Sequence, residues 1–125
     1  MKKVLAFDLG ASSGRGIIAS LDNGKITLNE IHRFPNNGVN VRKTLYWDII
    51  YLFDQIKQGI VKARLAGGFD AIGIDTWGVD FGLVDENGEL IGNPVHYRDS
   101  RTDNILGEVF NEISKENLYE RTGIQ

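Results

Sequence analysis

Two short stretches of this chain, VLAFDL (Val4–Leu9) and FDAIGID (Phe69–Asp75), are strongly apolar and carry an acid at the carboxyl end. Runs of this kind read as strands covered on both faces. What lies between them limits how they can be arranged. Arg15–Leu21 and Lys25–Phe34 read as two more strands, joined by DNG at Asp22–Gly24. Asn-Gly is a strong hairpin signal, because both residues tolerate positive φ. After a polar stretch through Asn36, Asn37 and Gly38, Asp48 is a suitable N-cap for a helix. Ile49, Leu52, Phe53, Ile56, Ile60 and Ala63 follow the helical period, and Gly67-Gly68 closes it. A crossover containing a helix sets the first and fourth strands parallel. The expected class is therefore α/β, a mixed sheet read β-β-β-α-β. In such sheets the carboxyl ends of parallel strands border the binding crevice, which brings Asp8 and Asp75 to one edge.

Further along, FGLVDENGELIG (Phe81–Gly92) repeats the hairpin signal at Asn87-Gly88, and Asn93-Pro94 ends it. A helix over about Thr102–Ile113 is expected to bury Ile105, Leu106, Val109, Phe110 and Ile113. A shorter one over Lys115–Arg121 ends at Gly123. There is no internal repeat, low-complexity tract or linker, so the 125 residues read as one domain or part of one.

Composition narrows the partners. The net charge of -3 argues against a nucleic-acid or anionic-membrane surface, which shows as a basic patch. With no cysteine, disulfides and thiolate metal sites are excluded. No stretch approaches the roughly 20 apolar residues of a membrane helix, and the first apolar run is broken too early by Asp8 for a signal peptide. A cytoplasmic setting is expected. His32 and His96 have no second ligand at metal spacing, and Trp47, just before a helix start, reads as a core or staple residue.

The turn after Asp8, GASSGR (Gly10–Arg15), is rich in backbone N–H and hydroxyls. Such a turn can be purely structural, or it can be shaped for phosphate with the acid placed to meet a metal ion. A Walker loop is excluded, because Gly14 is followed by Arg15 and Gly16 rather than Lys and Ser or Thr. GRGIIA (Gly14–Ala19) matches the dinucleotide pattern, but that motif must open a helix and the turn at Asn23 leaves no room for one. A hairpin loop remains, offering amides and two hydroxyls to an anion beside a carboxylate. One Asp after a strand commonly just caps a turn; two on one edge favour a site.

FDLGASSGR (Phe7–Arg15) resembles the first phosphate motif of the actin, heat-shock chaperone and sugar kinase superfamily. GIDTWGVDFGLVDENGELIGNPVHYRDSRT (Gly73–Thr102), EIHRF (Glu30–Phe34) and ERTGIQ (Glu120–Gln125) are similar to the FGGY carbohydrate kinases, most closely to their rhamnulokinase branch. The resemblance runs the whole chain. It implies a ribonuclease H-like (actin-like ATPase) fold and the N-terminal part of the first kinase domain over residues 1–125. It also implies transfer of the ATP γ-phosphate to L-rhamnulose or a related ketose.

Carried over residue by residue, the resemblance gives Asp8 a water-mediated hold on Mg2+. It gives Gly10, Ala11, Ser12, Ser13, Gly14 and Arg15 the ATP phosphates. Ala11 stands where many sugar kinases have Thr, which removes one hydroxyl. On the sugar side, Gly78 would let the substrate approach the backbone, and Asp75, Trp77 and Asp80 would supply hydroxyl contacts and stacking. Arg98, Asp99 and Arg101 are either a sugar-side cluster or a helix start capped by Asp99 or Ser100. The family's catalytic aspartate lies beyond the position matching Gln125. The chain is therefore expected to be an N-terminal piece, inactive alone and prone to self-association through uncovered apolar surface. The alternatives are another FGGY sugar kinase, a ribonuclease H-like two-metal nuclease using Asp8 and Asp75, and a non-catalytic binding module.

Overall fold

Along β1 (Lys2–Leu9), Leu5, Phe7 and Leu9 are buried, while Val4, Ala6 and Asp8 on the other face are half-buried or exposed. The computed structural model, which describes residues 1–124, thus covers one face of this strand, where the apolar run reads as covered on two. β2 (Ser13–Asp22) returns antiparallel with Asp8 opposite Arg15, and β3 (Lys25–Pro35) returns again. The β2–β3 turn is the expected one: Asn23 has φ 48° and Gly24 φ 77°, as a two-residue type I′ turn requires. A bulge interrupts the β2–β3 ladder. Gly16 pairs with His32 and Ile17 with Glu30, so Ile31 is the extra residue.

A short hairpin absent from the sequence reading follows, with β4 (Val39–Val41) paired to β5 (Thr44–Tyr46). Helix α1 (Ile49–Leu65) then starts where expected. The Asp48 carboxylate accepts the Tyr51 N–H at 2.9 Å, satisfying one of the free donors of the first turn. At the other end the Gly68 N–H donates to Ala63 O, with Gly67 at φ 103° and Gly68 at φ 76°. Leu52, Gly59 and Ala63 face the sheet. Gly59 lets the helix come down onto Phe7: a Cβ there would lie 2.6 Å from the Phe7 ring. Leu5, Phe7, Leu9, Ile18, Phe34, Leu52 and Ala63 form the core, each large side chain contributing about 1.5–3 kcal/mol by burial. Phe53, expected on the buried face, is 61% exposed and lies under the Lys57 ammonium instead.

β6 (Ala71–Thr76) joins β1 in parallel, completing the sheet order β3-β2-β1-β6. The strands are parallel with both acids at one edge, as expected, and Asp8 and Asp75 are register partners. β6 itself is not buried: Ile72 and Ile74 are 47% and 57% exposed, because α1 lies over β1, β2 and β3.

Two other expectations change. Phe81–Gly92 turns back on itself only as a minimal hairpin: an antiparallel bridge Val84–Leu90, with Ile91 N–H donating to Leu83 O, Asp85 N–H to Glu89 O and Gly88 N–H to Asp85 O. The helix expected over Thr102–Ile113 is a 3₁₀ turn (Ser100–Thr102) and then α2 (Leu106–Glu112), with no buried residue. Asn104 at φ 61° separates the two. α3 (Lys115–Thr122) runs from an Ser114 cap to Gly123 at φ 68°, close to the expected span. Among the described residues no helix is long and apolar enough to cross a membrane.

Candidate functional site

The loop Gly10–Ser13 joins β1 to β2 at the carboxyl end of β1. Three of its carbonyls are occupied. Ser13 O accepts the Gly10 N–H at 3.0 Å, and Ser12 O accepts the Asn36 N–H at 3.0 Å. The Asn36 side chain, buried at 2% exposure, donates from Nδ2 to Gly10 O at 2.7 Å. Among the described residues, the Ala11 and Ser12 N–H groups and the Ser12 and Ser13 hydroxyls form no hydrogen bond. Free backbone N–H groups and hydroxyls of this kind are the donors an anion takes. Asn36 is the loop-bracing residue that the sequence does not announce; its only signal is a polar residue just after a strand.

Two glycines of the turn have packing reasons. A Cβ on Gly10 would sit 3.1 Å from Ser13 O, against the loop's own closing bond. A Cβ on Gly14 would strike the Phe34 ring.

Asp8 and Arg15 are directly opposite across β1 and β2, and they are bonded to each other. Arg15 donates from Nε at 2.8 Å and from its terminal nitrogen at 2.6 Å, both to Asp8 Oδ2. The two side chains are 43% and 44% exposed, and ion pairs so open to water contribute only about 0–1 kcal/mol. Arg15 can therefore exchange its carboxylate for a phosphate at little cost. Next to it on the same face, Arg33 is held by Glu30, with donors at 2.9 Å and 2.5 Å. That pairing keeps the Glu30 carboxyl below its ordinary pKa and the Arg33 guanidinium above its own.

On the other side of Asp8, β6 ends at Thr76 and the chain continues as Trp77, Gly78, Val79 and Asp80. Asp75 is exposed and lies one strand from Asp8, about 4.8 Å away along the sheet. Gly78 is exposed with open space where a Cβ would be. Asp80 accepts the Trp47 indole N–H on Oδ2 at 2.5 Å and the Tyr97 N–H at 3.2 Å. Of the predicted residues, Asp8, the loop and Arg15 form one group, and Asp75 to Asp80 the neighbouring one. Asp99 stands apart from both. It caps the 3₁₀ turn through the Arg101 N–H, the helix-start role expected of it, and accepts the Leu45 N–H at 2.7 Å. Those two bonds hold its carboxyl below the usual range.

The sequence matches the FGGY family of carbohydrate kinases, N-terminal domain, over residues 3–125, and the chain belongs to that family. It is 50% identical to a rhamnulokinase of Oceanobacillus iheyensis over 123 residues, covering 97% of this chain and 26% of the relative. Against a rhamnulokinase of Bacillus subtilis it is 42% identical, covering 96% of this chain and 25% of the relative. The chain thus spans about a quarter of the length of these curated relatives. In solved structures its fold matches a gluconate kinase from Lactobacillus acidophilus with TM-score 0.79 at 18% identity, covering 98% of this chain and 25% of that one. It also matches a Plasmodium falciparum glycerol kinase solved with ADP, with TM-score 0.71 at 15% identity, over 95% and 25%. The fold is that of the sugar kinases, the ribonuclease H-like, actin-like ATPase type expected from the sequence.

Proposed function

We propose that this chain supplies the phosphate-binding and sugar-facing edges of an ATP-dependent rhamnulokinase, moving the γ-phosphate of ATP to the C1 hydroxyl of L-rhamnulose. The observation that carries the reading is the in-register pair Asp8–Asp75, flanked by the Gly10–Ser13 loop on one side and Trp77–Asp80 on the other. Two substrates that must react in line need two neighbouring grips, and phosphoryl transfer is catalysed mainly by such positioning and by charge stabilisation. The Ala11 and Ser12 N–H groups, the Ser12 and Ser13 hydroxyls and Arg15 fit phosphate oxygens in donor chemistry. Released from Arg15, Asp8 fits a water held on Mg2+, a hard cation that takes oxygen ligands. Gly78 leaves the backbone open to a sugar, with Asp75 and Asp80 to accept its hydroxyls. The general base is not assigned to any residue of this chain. L-Rhamnulose as the ketose rests on the names of the relatives, and a cytoplasmic setting agrees with a supply of ATP.

A chimera tests this directly: residues 1–125 of this chain replace the matching quarter of the Oceanobacillus iheyensis rhamnulokinase. ADP release that depends on L-rhamnulose is expected. A folded chimera that phosphorylates only a different ketose, or none, overturns the assignment.

A further inference from the structure

Trp47 is the largest fully buried side chain of the described residues, at 1% exposure, yet it lies outside the main core cluster. Its indole stacks on Trp77 at 4.1 Å between centroids and on His96 at 3.8 Å. Two rings that close to one indole must occupy its opposite faces. The stack continues through Tyr97, 4.7 Å from His96, to the Arg98 guanidinium 5.2 Å from the Tyr97 ring. The indole edge is also spoken for, because Nε1 donates to Asp80 Oδ2. The backbone beneath is tied on both sides, with Trp47 N–H donating to Pro94 O and His96 N–H to Leu45 O. One side chain therefore touches both ends of the Trp77–Asp80 loop, through a ring face at Trp77 and through a hydrogen bond at Asp80.

We infer that Trp47 is a positioning residue for the sugar-facing loop: it sets the plane of Trp77 and turns Asp80 so that Oδ2 is held by the protein and Oδ1 is left for substrate. Among the described residues Asp80 Oδ1 has no hydrogen-bond partner. The loop needs such a brace, because Gly78 and Val79 are exposed and β6 is covered by no helix. A hydrogen bond between a buried donor and a carboxylate is the strong kind, and it fixes an angle as well as a distance. The inference rests on the reading of Asp75–Asp80 as the sugar-facing edge.

The test uses the chimeric kinase and two replacements at position 47. Trp47→Phe keeps a ring in the stack and removes the N–H donor. Site-specific 3-benzothienylalanine keeps the indole shape with sulfur in place of N–H, so it covers the case in which Trp47→Phe does not fold. The ketose KM should rise about tenfold, the scale of one hydrogen bond to a charged group, with the ATP KM within about twofold of the parent. Gly78→Leu in the same chimera is the control for the sugar edge. An unchanged ketose KM at position 47, while Gly78→Leu abolishes ketose use, overturns the positioning role and keeps the sugar edge. Unchanged ketose use in both overturns the two together. A parallel rise of both KM values makes Trp47 merely structural and also overturns the inference.

Discussion

Residues 1–66 and 71–124 both carry many apolar side chains and put them to different use. Every buried hydrophobic of the first region is matched to a neighbour, from Leu5 and Phe7 on β1 to Leu52 and Ala63 on α1. In the second region Ile72, Ile74, Val79, Phe81, Leu83 and Leu106 are all 47% exposed or more. The difference is one of layers: a sheet face or helix stripe is buried only when another element lies on it. α1 supplies that layer for β1, β2 and β3, and Pro94–His96 is held instead by edge pairing to Leu45–Trp47 and by aromatic stacking. An apolar sequence pattern therefore states a demand for cover, while the topology decides whether it is met. The hairpin proposed for phosphate sits on the packed region and the loop proposed to face the sugar on the open one.

The comparison breaks most visibly at two phenylalanines. Phe7→Ala removes a ring packed against Gly16 and Gly59 and should cost about 3–5 kcal/mol in denaturant unfolding. Phe81→Ala, at a position 70% exposed, should cost less than about 0.5 kcal/mol. Equal losses would mean that the two regions are packed alike. A smaller effect is expected at the hairpin brace. Asn36→Ala leaves Gly10 O without its buried donor and should cost about 1–3 kcal/mol, with a weaker grip on ATP in the chimera. If both stability and ATP KM are unchanged, the loop does not depend on that bond. The gentlest probe is pH, because each region holds one buried histidine. Burial, and then the Lys62 ammonium whose Nζ lies 2.8 Å from Nδ1, keep His32 below its ordinary pKa. Burial, and to a lesser degree Arg98, do the same for His96 against the raising pull of Asp80. A histidine with a depressed folded pKa binds its proton more tightly when unfolded. Its stability contribution is full above about pH 6.5 and is lost as pH falls below that value. Melting temperature should drop between pH 6.5 and 5, and the drop should shrink in His32→Gln; a drop of the same size in that variant removes His32 from the account.

Much of the first region is legible in the sequence, because its signals are local. Asn23-Gly24, the Asp48 cap, the helical stripe and the Gly67-Gly68 stop each act within a few residues. The parallel pairing of β1 and β6, which puts Asp8 and Asp75 at one edge, follows from the crossover. Local signals also mislead where tertiary contacts decide. Asn87-Gly88 reads like Asn23-Gly24, yet only Gly88 takes positive φ, and the flanking residues close a single bridge. The β4–β5 hairpin has strands of three residues and places Arg42, not Gly or Asn, at φ 58°, so nothing nearby announces it. At the site, the loop and both acids are readable from their motif. Asn36 and Trp47 are not, because their partners lie 26 and 33 residues away in the chain.

The bulge at Ile31 has a consequence for charge. On a regular strand, residues three apart face opposite sides, and Glu30 could not reach Arg33. The extra residue shifts the alternation by one place, so that Glu30, opposite Ile17, and Arg33, opposite Arg15, emerge on the same side. In a ladder without the bulge, with Ile31 paired opposite Ile17, Glu30 would fall opposite Ile18 on the helix side, and Arg33 would stand beside Arg15 without its own carboxylate. A single irregular residue thus keeps the charge column from Glu30 through Arg33 and Arg15 to Asp8 in phase, and with it the balance of sign beside the phosphate hairpin.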